Sequence, residues 1–198
     1  MYKKQMLFQK LLCLFTLISG AIVFLYSLGV MTDIFDSFYS AVTVDRVTHE
    51  VTKEKVEGAK IYYDMQPFND AFLKYSIGFI LCAALLFITN THVRRRYYIS
   101  NFISTGIVVC YGAVFSIWAH LEIEKFKNQF LTTIDFEGFK AFAEKWKSLY
   151  TESTFWFDIH YAVFGIVLVI VILHVVNLAL KVSLMSKEKK LLASEGEA

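Results

Sequence analysis

The sequence holds one proline and three cysteines in 198 residues, and none of the cysteines falls where an oxidising compartment would pair it. Cys13, Cys82 and Cys110 all lie inside apolar windows, which excludes the cysteine-paired outer loops of claudin-like and tetraspanin-like proteins and any CxxC thiol-oxidising centre. Beyond Lys10 near the start of the first, those windows also hold no Asp, Glu, Lys or Arg. Pumps and ion-coupled carriers usually place an ionisable group beyond histidine inside their spans, so an autonomous pump is disfavoured. No P-loop, HExxH, GxSxG or glycine-rich dinucleotide fingerprint occurs. The chain reads as non-enzymatic, and no cofactor is assigned to it.

What the sequence does hold is apolar bulk: 56% hydrophobic and 17% aromatic residues, more than a soluble domain carries. It is concentrated in four windows at about 7–30, 75–91, 97–119 and 159–180. A hydrocarbon core of about 30 Å needs roughly 20 helical residues, with about 17 at the short end, and the second window is the shortest. Lys3 and Lys4 precede the first window as in a secretory signal, yet its apolar run exceeds a signal's about 7–15 residues, and it reads as a retained anchor. The expected fold class is an all-α integral membrane protein, a four-transmembrane-helix bundle. It would form a single membrane domain over 1–198, with extracytoplasmic loops at 31–74 and 120–158 and a cytoplasmic tail from 181.

Charge sets the expected orientation, because Lys and Arg near span ends resist translocation. The tails and the tight turn between spans two and three hold 10 basic residues against 3 acids, or +7, whereas the two long loops hold 10 against 15, or −5. Both termini are therefore expected in the cytoplasm, with Arg94, Arg95 and Arg96 as topology anchors. A basic inner face beside anionic lipid explains this pattern without any nucleic-acid partner. The expected partners are the lipid bilayer and other membrane-protein subunits.

In the first outer loop, Val42 and Val44 suit a strand while Val44, Val47 and Val51 suit a helix, so a hairpin and a short helix both stay open. Pro67 is read as a turn before span two. In the second loop, Phe136, Phe139, Ala143, Trp146 and Tyr150 recur at spacings of three and four, which predicts an amphipathic helix from Phe136 to about Leu149 with Asp135 as N-cap. Its aromatic face must rest on the first loop, the membrane interface or a partner protein.

His120 and Glu124 close the third span and Asp158 and His160 open the fourth, so the four side chains are candidates for a zinc site, weighed against an interfacial hydrogen-bonded cluster. No metal is assigned. His160 and His174 share a helix face about 21 Å apart, as two stacked haems would require, with His120 and His92 as the opposing ligands. The competing reading pairs His174 with Asn177 in a buried polar contact that fixes helix register. A stripe of small residues, Thr105, Val109, Gly112, Ser116 and Ala119, runs down span three and serves either the bundle's own packing or a partner helix. The two halves of the chain share a plan of span, outer loop and span, which keeps a small transporter in view, its polar path lined by Thr105, Ser116, His174 and Asn177.

Three stretches, Tyr62-Tyr63-Asp64-Met65-Gln66-Pro67-Phe68-Asn69, Ile88-Thr89-Asn90-Thr91-His92 with the basic run after it, and Leu149-Tyr150-Thr151-Glu152-Ser153-Thr154-Phe155-Trp156-Phe157-Asp158, carry a resemblance. Together they resemble four-span bacterial membrane proteins whose genes accompany carbohydrate ABC importers. The resemblance covers nearly the whole chain and assigns no chemistry to any residue. It implies a protein of the bacterial cytoplasmic membrane that acts as an accessory or scaffold subunit. The alternatives are a small transporter or channel-like oligomer, and a haem- or metal-binding redox protein.

Overall fold

In the computed structural model, which describes residues 2–45, 48, 50–90 and 98–195, six α-helices and one β-hairpin follow in the order α1 Tyr2–Gly29, α2 Thr32–Phe38, a 3₁₀ turn Tyr39–Ala41, β1 Val42–Val44, β2 Val51–Glu54, α3 Ile61–Thr89, α4 Tyr98–Thr133, α5 Phe136–Trp146 and α6 Phe155–Glu195. Four helices, α1, α3, α4 and α6, are long and apolar enough to cross a membrane. His92 and Arg94, Arg95 and Arg96 lie outside the described residues.

The helices do not stop where the apolar windows stop. α4 has 36 residues and α6 has 41, or about 54 and 62 Å at 1.5 Å per residue, well beyond a bilayer's hydrocarbon thickness. The reason is chemical: Glu122, Lys125 and Lys127 end the hydrophobic run without ending the helix, since Glu and Lys are good helix formers. Pro67 is likewise not a turn. It sits inside α3, six residues after Ile61, where it deletes one backbone hydrogen bond while the turns on either side continue.

The contacts cluster into two compact units, and each of the four long helices contributes a segment to both. The first unit comprises Met1–Ile22, Ile77–Ser116 and Gly165–Ala198. Its core is Leu12, Phe79, Ala83, Leu86, Val108 and Val167, all buried. Glycines let the helices meet closely. A Cβ on Gly112 would lie 3.1 Å from Val171 and 3.3 Å from Phe79, and one on Gly20 would lie 3.1 Å from Ile80.

The second unit comprises Val23–Ser76 and Ile117–Phe164 and is an aromatic core. Phe38 of α2 stacks on Phe139 of α5 with ring centroids 4.4 Å apart, and Phe130 of α4 packs edge-on against Phe38 at 6.1 Å. The first loop takes the hairpin reading: β1 pairs antiparallel with β2, Val42 opposite Glu54 and Thr43 opposite Lys53, so Val44 and Val51 lie on strands and not on a helical face; the short helix of this loop, α2, lies earlier, at Thr32–Phe38. Asp135 caps α5 by accepting from the Gly138 N–H at 3.0 Å. The helix ends at Trp146 rather than Leu149, because Lys147 takes a left-handed conformation and the Ser148 N–H returns to the Ala143 carbonyl at 3.1 Å.

Candidate metal centre

Within the second unit, α4 presents His120 and Glu124 one turn apart on a single face, and α6 presents His160 and Tyr161. The donor atoms of His120, Glu124 and His160 all lie within 4.8 Å of one another. His120 Nδ1 and His160 Nε2 are 2.8 Å apart, and His160 Nε2 is 3.6 Å from Glu124 Oε1.

The protons in this cluster can be assigned. His160 Nδ1 meets the Phe157 carbonyl, which only accepts, so Nδ1 carries the hydrogen. In the neutral ring Nε2 is then a bare lone pair, and His120 Nδ1–H donates to it. Tyr161 donates its hydroxyl to Glu124 Oε1 at 2.7 Å. His160 is fully buried and its ring lies 4.0 Å from that of Tyr161, while His120 and Glu124 are half-buried, leaving a way in from one side.

Asp158 does not join this group. Its two oxygens accept from Lys127 at 2.6 Å and from Thr154 at 2.6 Å, so it serves as an ion-pair partner and helix-start contact. Of the histidines weighed as haem ligands, His120 and His160 bond each other directly and His174 meets a hydroxyl, while His92 lies outside the described residues. Thr16 donates to the Leu12 carbonyl and accepts from His174 Nε2 at 2.8 Å. His174 and Asn177 do not bond each other: Asn177 accepts from Gln5 at 2.9 Å, so both tie α6 to α1.

The small-residue stripe expected on span three faces inward. Thr105, Ser116 and Ala119 are buried and Gly112 packs on Val171, so Gly112 and Ser116 are committed to the bundle's own packing and offer no outer docking face. Thr105 bonds the Asn101 carbonyl of its own helix, and with Ser116, His174 and Asn177 it lies at 2% exposure or less. Of the aromatic stripe on α5, Phe139 is fully buried against the first loop, Phe136 packs on Phe130 and Tyr150 on Phe139, whereas Trp146 is 64% exposed.

A polar layer in the first unit was missed from sequence. Gln9 donates to both Asn90 and Asn101, Gln5 to both Gln9 and Asn177, and the Lys181 ammonium to Asn101, all six residues being buried. The available signal was Gln5 and Gln9 at helical spacing, opposite Asn177 and Lys181 at the same spacing. Tyr62, Gln66 and Asn69 of the first resemblance stretch line a groove of about 410 Å³ with Phe35 and Leu28.

Fold and interior together define a multi-pass helical bundle. No family model matches the chain, and comparison with curated proteins and with solved structures gives no match.

Proposed function

We propose that the chain is a non-enzymatic, multi-pass protein of a bacterial cytoplasmic membrane, with both termini in the cytoplasm, serving as an accessory or scaffold subunit of a larger complex such as a carbohydrate ABC importer. The orientation rests on the charge difference between the tails and the loops. The single observation that carries the subunit reading is the outward face of α4. Gly106, Cys110 and Ala113 stand there at spacings of four and three: a Cβ added at Gly106 meets nothing within 4 Å, Cys110 is exposed and Ala113 half-buried. Exposed Ile103, Ile107, Val114 and Ile117 flank them. Lipid tails are as apolar as leucine, so helices associate in a bilayer by close packing over small residues. The flat on α4, unlike the inward stripe, is free to provide it.

The test is purification from the native membrane in mild detergent, with mass spectrometry of what remains bound through size exclusion. Stoichiometric recovery of importer permeases or another membrane complex, lost in a Gly106→Leu/Cys110→Leu variant that melts like wild type, is expected. Recovery of the protein alone as a defined oligomer would overturn the reading and favour a small transporter.

A further inference from the structure

We propose that His120, Glu124 and His160 form a binding site for one divalent transition-metal cation of the zinc class. The donor set is two imidazole nitrogens and one carboxylate oxygen, a borderline set that suits zinc and its neighbours and is too nitrogen-rich for calcium or magnesium. Donors about 2.0–2.1 Å from a tetrahedral centre lie about 3.3 Å from one another. The 2.8 Å between the imidazole nitrogens must therefore open by about half an ångström and the 3.6 Å from His160 to Glu124 close by a few tenths. These are side-chain movements.

A hydrogen-bonded histidine pair accounts for only part of the arrangement. Three ligand-type atoms converge, of which His160 Nε2 and the Glu124 carboxylate present lone pairs and only His120 Nδ1 carries a proton. Glu124 stands too far from His160 Nε2 for a hydrogen bond. The surrounding contacts are those that orient metal ligands: a backbone carbonyl holds the far nitrogen of His160, and a tyrosine hydroxyl holds the carboxylate. Lys127, whose ammonium lies 5.8 Å from the centre of the Tyr161 ring, is engaged by Asp158, so the cluster carries one net negative charge when both imidazoles are neutral. On metal binding the His120 proton moves from Nδ1 to Nε2, a change of tautomer with no net loss of a proton. Three protein ligands leave a fourth position for water, the pattern of open rather than purely structural zinc sites.

The experiment uses the full chain in detergent, purified through a tag without histidines, loaded with Zn²⁺, desalted and assayed for metal by mass spectrometry. Co²⁺ serves as an optical probe of tetrahedral coordination. One zinc per chain is expected, with intense visible cobalt bands. Glu124→Gln and His120→Ala should each weaken binding at least tenfold, and Tyr161→Phe, which touches no metal, by about 10- to 100-fold, while Cys110→Ser leaves it unchanged. His160 is buried and its replacement risks the fold, so the part-exposed, isosteric Glu124→Gln is the decisive variant. Wild type that retains no zinc, or Glu124→Gln and His120→Ala that bind it as wild type does, would overturn the site.

Discussion

Gln9 donates two side-chain bonds from α1, to Asn90, the residue after α3, and to Asn101 of α4. In a low-dielectric interior a polar group stripped of its partner costs more than the bond contributed. Gln9→Leu leaves the buried Asn90 amide oxygen without its side-chain donor, while Asn101 keeps the Lys181 ammonium and Gln5 keeps Asn177, and should lower stability by about 1–3 kcal/mol, read as a drop in melting temperature in detergent. Gly58 is constrained differently. It sits at φ +82°, and an added Cβ would lie 2.5 Å from the Thr133 carbonyl oxygen, so Gly58→Ala combines backbone strain with a clash against backbone. A loss of at least about 1–2 kcal/mol follows, and a melt within error of wild type would remove that turn from the account. Neither position stands out in the sequence: a single glutamine at the start of an apolar window forms no motif, and a loop glycine reads as a loop.

Among the elements, α5 was the most legible, because its aromatic spacing and its Asp135 cap point to the same helix. What the spacing could not say is what the face rests on. The stacking of Phe139 on Phe38 shows that it rests on the first loop and the end of α4. Phe139→Ala empties that contact and should cost about 3–5 kcal/mol. In hydrogen exchange the loss should appear as faster exchange over 134–150 with the amides of α1 unchanged. The ends of α3, α4 and α6 were illegible for a shared reason. Hydropathy marks where a helix leaves hydrocarbon, whereas its true end is set by caps and turns, and charged residues around 120–127 continue a helix as readily as they begin a loop. The face of α4 was illegible too. Thr105, Gly112 and Ser116 and the set Gly106, Cys110 and Ala113 are both small and both helically spaced, and only the neighbours decide which one is buried.

At the scale of the whole molecule, four apolar helices were readable because nothing but lipid or a core explains so much charge-free length. The juxtaposition of His120 with His160, 40 residues apart, was readable only as proximity at two span ends, and which carboxylate joins them was not. Glu124 shares a helix face with His120, while Asp158 is taken by Lys127 and Thr154. The docking flat on α4 presupposes four crossings with the termini on one side of the membrane. Labelling with a membrane-impermeant thiol reagent, in a chain whose three native cysteines are replaced by alanine, tests that most directly, with single cysteines introduced as Lys53→Cys, Lys140→Cys and Ser186→Cys. The account predicts that intact cells label the first two and that Ser186→Cys labels only after permeabilisation. Labelling of Ser186→Cys in intact cells, or protection of either loop position, would contradict it.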